Sequence, residues 1–294
     1  MIQPNSLQAW GLAIRPKTLT GAAIPVMIGC ALADMYDKLQ VLPAVLCFLF
    51  AFLMQIDANF INDLFDYLKG TDREDRLGPE RACAQGWLTV SAMKAGIAVV
   101  TVLAAITGLS LLFFSGWEMI PVGVACIVFA FLYTAGPYPL AYHGWGDVLV
   151  LVFFGFVPVG CTFYVMAHTW TTPVTVASLA CGLIIDTLLM VNNFRDREQD
   201  AMSGKRTLIV CWGARAGLIL YFMLGMVACW CCLYFTSEGK IWAAVLPQLY
   251  LIPHIFTTLK MARINKGKAL NLILGETSRN MLLFGMLLTL GLVL

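Results

Sequence analysis

The stretch VNNFRDREQDAMSGKRTL, residues 191–208, closes a long apolar run and carries three acids, four bases and two adjacent asparagines. Asn192, Asp196 and Asp200 recur every four residues, so on a helix they lie along one face with only a modest drift around the axis. An echo precedes it. NFINDLFDYLKGTDRED, residues 59–75, sets Asn62 and Asp66 at the same spacing, again at the end of an apolar run. Bases follow both stripes: Lys69, Arg73 and Arg76 after the first, Lys205 and Arg206 after the second. Two such stripes predict two related helical halves, each delivering one acidic face to a common mouth.

The rest of the chain fits that reading. Of 294 residues, 60% are hydrophobic and 12% charged, against about a quarter charged in a soluble domain. Uncharged runs at 95–117, 148–167 and 216–235 reach the roughly 20 residues needed to cross a bilayer as a helix. The expected fold is an all-α polytopic membrane protein in a single domain, 1–294. Nine helices are expected, over 18–36, 41–66, 92–114, 119–136, 147–167, 173–196, 214–236, 240–260 and 276–294. They form two four-helix halves, about 1–140 and 141–260, plus a ninth helix supported by only fourteen uncharged residues after Asn280. Arg15 and Lys17 stand before an apolar segment, as in a signal peptide, but RPKTLTGAAIPVMIGC runs on into further spans and reads as a retained first helix.

Charge sets the orientation. With a cytoplasmic N-terminus, all of the 19 Lys and Arg except Lys38 and Lys240 fall on the cytoplasmic side, a strong positive-inside bias. The mouth therefore faces the cytoplasm, in the inner membrane of a bacterium. Most of the acids collect on the same side, which a topology signal alone does not require. The net charge is only +2, and no nucleic-acid partner is expected. The ten cysteines and three histidines lack ligand spacing, so zinc and iron sites have no support.

Two carboxylates about 6 Å apart repel by roughly 3 kcal/mol at an effective dielectric of 20. Two acidic stripes beside a low-dielectric interior therefore call for a cation. Their hard oxygens suit magnesium, which commonly bridges carboxylates to substrate phosphates, and the flanking bases suit phosphate oxygens directly. Two bland alternatives compete: helix ends solvated by mutual salt bridges, and a cation-coupled transporter. Matched spacing in both stripes argues against the first. Transporter sites lie near the bilayer midplane on broken helices, whereas these stripes lie at helix ends. Asp186, two turns before Asn193 on the same face, is a candidate to position or deprotonate a substrate; Asp57, out of phase with Asp66, is expected to bond a neighbouring helix. Ser203 and Gly204 allow Lys205 and Arg206 to fold back over the mouth, so 197–207 is expected to form a flap.

The chain resembles the membrane-embedded aromatic prenyltransferases of the UbiA superfamily, and within it the 1,4-dihydroxy-2-naphthoate polyprenyltransferases of menaquinone synthesis. The resemblance rests on RPKTL (15–19), NDLFDYLKGTD (62–72), GPYPLAYHGWGD (136–147), FFGFVPVGCTFYV (153–165) and NNFRDREQDAMSGKRTL (192–208). It implies nine helices around a central cavity, with magnesium and a polyprenyl diphosphate held under Asn62, Asp66 and Asp72 of the first motif and Asn192, Asp196 and Asp200 of the second. Many members have a third aspartate where this chain has Gly70; Asp72 takes its place. The implied acceptor is 1,4-dihydroxy-2-naphthoate, which loses its carboxyl group as carbon dioxide, with 4-hydroxybenzoate the alternative. Lys69, Arg73, Lys205 and Arg206 are expected at the diphosphate and Arg15 or Lys17 at the acceptor carboxylate. Phe60, Phe65, Tyr67, Tyr133 and Tyr138 are candidate rings for an allylic cation, and Asp66, Asp196, Asp200 and Asp186 the catalytic acids.

Overall fold

The computed structural model describes residues 2–70 and 76–294. Among them there is no strand. The helices are numbered α1 (Leu7–Met35), α2 (Val41–Leu68), α3 (Val90–Ser115), α4 (Trp117–Thr134), α5 (Gly146–Ala167), α6 (Thr172–Met202), α7 (Leu208–Thr236), α8 (Ile241–Ile264) and α9 (Leu270–Val293). The first eight are long and apolar enough to cross a membrane. The ninth begins at Leu270 rather than 276, because its polar first half finds partners on α8. Lys260 Nζ and Thr257 Oγ1 bond Glu276 at 2.7 and 3.3 Å, and Asn280 Nδ2 donates to Thr257 at 2.9 Å.

The outside is apolar. Helix α3 exposes Val99, Val102, Ile106, Leu109 and Phe113 while burying Ile97, Ala104 and Leu111, a three-to-four spacing that turns one stripe inward and leaves the rest to lipid. Trp117, Trp170 and Trp242 stand exposed near helix ends, where indole rings favour the membrane–water boundary. The protein is a multi-pass membrane protein.

Helix α6 is the most enclosed span and packs against α5, α7 and α9, while α9 also closes against α1. Helices α5 and α6 come almost backbone to backbone: a Cβ on Gly155 would lie 2.6 Å from the Ser178 carbonyl oxygen, the kind of approach small residues permit between membrane helices. The middle of α5, Leu151–Gly160, is wound as a π-helix, a wider turn often found beside functional sites. Helix α1 breaks at Arg15, whose φ is 54°. Asn59 of α2 holds the break, donating from Nδ2 to the Ile14 carbonyl and to Thr18 Oγ1 at 2.9 Å each. As expected, Asp57 ties two helices, accepting from Thr101 Oγ1 of α3 at 2.8 Å.

The sixth helix does not stop at the acids. It runs through Met202, and only Ser203–Arg206 turn back. Lys205 N donates to the Asp200 carbonyl and Arg206 N to the Tyr142 carbonyl, at 2.9 and 2.8 Å. The expected flap over 197–207 is therefore a helical extension with a pinned turn.

Candidate functional site: a polar mouth over an apolar chamber

Two cavities meet inside the bundle. The polar one, about 1280 Å³, is walled by the break in α1, by the ends of α2, α4, α5, α6 and α9 and by the α2–α3 and α4–α5 loops. The apolar one, about 340 Å³, lies among α1–α6 and is lined by Met54, Phe129 and Leu149 and by the π-helical Phe153, Phe154 and Val157. Thr18, Asn62, Tyr133, Leu188, Leu189 and Asn192 line both, and so form a throat between them.

The two stripes face each other across the mouth. Asn62 and Asp66 line it from α2, and Asn192, Asp196 and Asp200 from α6. Each carboxylate has a basic partner. Arg81 Nη2 donates to Asp66 Oδ2 at 3.3 Å, Arg195 grips Asp196 through Nε and Nη2 at 2.7 and 2.6 Å, and Lys205 Nζ lies 3.2 Å from Asp200 Oδ1. Thr134 Oγ1 donates to Asn62 Oδ1. Asp63, the neighbour of Asn62, is structural. Buried from solvent, it accepts from the backbone N–H groups of Ala82 and Cys83 at 2.9 Å and pairs with Arg15 at 3.5 Å, anchoring the α2–α3 loop.

Tyr142, in the loop between α4 and α5, brings Lys69 and Lys205 to one ring. Lys69 Nζ lies 4.9 Å and Lys205 Nζ 4.8 Å from its ring centroid, within cation–π range. Lys69 also donates to the Thr134 carbonyl. Burial pushes the Lys69 pKa below the usual lysine value, a push that the Lys205 charge adds to and the Asp66 carboxylate opposes. At Lys205 burial acts in the same sense, but Asp200 and Asp66 outweigh it and hold the ammonium above its ordinary pKa.

Arg15 and Lys17 also line the mouth, presented by the break in α1. Other expected residues lie elsewhere. Tyr138 is exposed and stacks on His143 at a 3.5 Å centroid distance, outside both cavities. Arg206 is exposed and outside the cavity wall, because its backbone is pinned to Tyr142 and its side chain leaves the turn outward. Asp186 is buried behind the wall rather than in it. Of the candidate rings only Tyr133 reaches the cavities; Phe60 is buried against Trp10, and Tyr67 is exposed. Asp72 and Arg73 lie outside the described residues.

Sequence reasoning did not single out Arg81, Arg195, Tyr142 or Asp147 for this site. Arg195 is buried, and besides Asp196 it donates to Asn271 Oδ1 of α9 at 2.9 Å, while Asn271 Nδ2 donates to the Leu77 carbonyl at 2.8 Å. Arg195 thus ties the second motif to α9, and Asn271 ties α9 in turn to the α2–α3 loop. Tyr142 stands four residues after Tyr138 in the same GPYPLAYHGWGD motif.

The donor set fits a magnesium-like ion. Among the described residues no three acids, cysteines or histidines converge tightly enough to close a metal centre by themselves. The oxygens are instead spread over two opposed walls, which suits an ion that takes one or two carboxylates and completes its shell with water and phosphate oxygens.

A helical membrane bundle with a charged mouth above an oily chamber is built to bring the head of an amphiphile and the start of its tail to one throat. The chain belongs to the UbiA prenyltransferase family, whose model matches residues 22–289. It is 34% identical to the 1,4-dihydroxy-2-naphthoate octaprenyltransferase of Haemophilus influenzae over 99% of this chain and 97% of that protein. It is 37% identical to the Escherichia coli protein of the same name over 72% and 70% of the two chains. Among solved structures, a UbiA homolog from Archaeoglobus fulgidus bound to GPP and Mg2+ shares the fold with a TM-score of 0.71 at 15% identity, over 97% of this chain and 99% of that one.

Proposed function

We propose that the protein transfers a polyprenyl group from a polyprenyl diphosphate to 1,4-dihydroxy-2-naphthoate, which loses its carboxyl group as carbon dioxide, giving a demethylmenaquinol. The observation that carries this reading is the single throat joining a mouth of opposed acids and bases to an apolar chamber, together with the relatives' shared name. Lys69 and Lys205, both held at the Tyr142 ring, bind the diphosphate oxygens. Asn62, Asp66, Asn192, Asp196 and Asp200 hold magnesium, with Asp72 their expected companion. Bound there, magnesium neutralises charge on the leaving diphosphate.

The prenyl chain enters the apolar chamber, which keeps water from the allylic carbon as its bond to oxygen weakens. Tyr133 presents a ring at the throat, where a positive charge develops; such contacts contribute roughly 0.5–2 kcal/mol. Arg15 and Lys17, across the mouth, receive the acceptor carboxylate. With its N-terminus in the cytoplasm the mouth opens to that side, as the bias of 17 among 19 bases supports, the two exceptions being Lys38 and Lys240.

The test is purified protein supplied with magnesium, one polyprenyl diphosphate and equal amounts of 1,4-dihydroxy-2-naphthoate and 4-hydroxybenzoate. The expected product is the decarboxylated prenyl naphthalene diol, with carbon dioxide released one for one. Prenylation of the benzoate in preference would overturn the acceptor assignment, and no transfer to either ring would overturn the reading as a whole.

A further inference from the structure

Beside the throat, at the foot of α5, stands an acid that the reading above does not use. Asp147 lines the mouth cavity, yet its residue is only 8% exposed, and its Oδ1 is buried without a hydrogen-bond partner among the described residues. Asp186 of α6 lies behind it within electrostatic reach, 3% exposed, its own Oδ1 also without such a partner. A buried carboxyl oxygen that bonds nothing costs free energy, and native proteins rarely leave one so. Asp57 makes the contrast, since its other oxygen bonds Thr101 and neither oxygen faces a cavity.

The surroundings define what this oxygen awaits. Gly146, next in the chain, lies against two throat residues: a Cβ built there would sit 3.3 Å from Leu189 Cδ2 and 3.6 Å from the Tyr133 hydroxyl. Leu188, Leu189 and Tyr133 offer apolar faces to a flat ring. The lysines and arginines that suit phosphate have acidic or aromatic partners of their own. A carboxylate only accepts hydrogen bonds. It therefore suits the hydroxyl of an aromatic acceptor and repels diphosphate.

We propose that Asp147 is a catalytic residue of the acceptor half-site, accepting the hydrogen bond of a ring hydroxyl and borrowing its proton. This rests on the acceptor reading given above. The step balances. The hydroxyl O–H breaks, its proton passes to Asp147 Oδ1, and the oxygen electron pair pushes into the ring. The carboxylate-bearing ring carbon forms a bond to the allylic carbon while the carbon–oxygen bond to diphosphate breaks, its pair leaving with diphosphate. The ring carboxylate then departs as carbon dioxide, its bonding pair restores the aromatic ring, and Asp147 returns the proton to the ring oxygen. No net proton is consumed.

The first arm measures equilibrium binding of the naphthoate and of its hydroxyl methyl ethers to wild-type protein in nanodiscs, without diphosphate or magnesium. The ether at the hydroxyl that Asp147 reads is expected to bind at least about tenfold more weakly in wild type, and within about threefold of the parent in Asp147→Asn. The second arm measures turnover. Asp147→Asn is expected to lower kcat/KM for the naphthoate at least about a hundredfold while the KM for prenyl diphosphate stays within about twofold. Asp57→Asn, a buried acid away from the cavities, controls for loss of a carboxylate inside the bundle and leaves kcat/KM within about threefold. Wild-type protein that binds all the ethers as well as the parent overturns the proposal, whatever becomes of the variants. So does an Asp147→Asn enzyme with unchanged kcat/KM, or one in which only the diphosphate KM moves. If wild type transfers nothing to the naphthoate, the acceptor reading fails and the inference with it; wild-type turnover with an unaffected Asp147→Asn refutes the inference alone.

Discussion

The two acidic stripes share a spacing and differ in what neutralises them. On α2, Asp66 meets Arg81, fifteen positions away in a loop, and that loop is itself anchored by Asp63. On α6, Asp196 meets Arg195, its own neighbour, and Asp200 meets Lys205 in the turn that ends the helix. One stripe is completed by long-range folding and the other by local sequence. The local stripe is also tied to the bundle: Arg195 is buried and bonded to α9, and the helix continues past the acids to Met202. The proposed reaction would draw on both, because opposed walls suit an ion that takes one or two carboxylates and completes its shell with phosphate oxygens.

The comparison breaks most readily at the acids. Asp66→Asn and Asp196→Asn should each lower turnover by at least about a hundredfold, the scale of removing one electrostatic stabiliser, while insertion and thermal stability of the bundle persist. A large loss in only one variant would mean that the walls do not act together. A smaller effect separates the two lysines. Lys205→Ala should raise the KM for prenyl diphosphate by about tenfold, as expected for a charged contact of about 1.4 kcal/mol. The pH profile sharpens the difference between them. Lys69 has its pKa depressed by burial and Lys205 has its pKa raised by Asp200 and Asp66, so as pH rises Lys69 loses its charge first. Diphosphate affinity should weaken on the alkaline side in two stages, and Lys69→Arg, which stays charged, should remove the earlier one. A single stage that Lys69→Arg leaves in place would contradict the assignment. The smallest effect belongs to Arg206→Ala. With the side chain outside the mouth, the KM for prenyl diphosphate should stay within about twofold, and a tenfold rise would return Arg206 to the site.

The helices and both stripes were legible because each is a periodic signal: apolar length marks a span, and a four-residue repeat marks a face. What pairs at a distance was not. Nothing near Asp66 points to Arg81, and Asn271, which accepts from Arg195, bonds Leu77 across 194 positions. The end of α6 lies beyond its expected position because Arg195, Asp196 and Asp200 satisfy one another or nearby groups and let the helix continue through its charged stretch. Tyr138 and Tyr142 are equivalent as aromatic residues of one motif until the short turn at Leu140–His143 puts Tyr142 on the mouth wall and stacks Tyr138 on His143. Asp186 was legible as an acid inside a span, but Asp147 sat at the edge of one and looked like an ordinary helix end. Access to the cavity, which only the fold reveals, reverses their order of interest.

The most direct measurement is transfer by purified protein stripped of divalent ions and then titrated with magnesium, following prenylated product and carbon dioxide together. The expected result is loss of both signals in chelator and their joint recovery on adding magnesium, with Asp66→Asn and Asp196→Asn each requiring more of the ion. Full turnover in chelator, with residual metal excluded, would contradict a shared ion between the two walls.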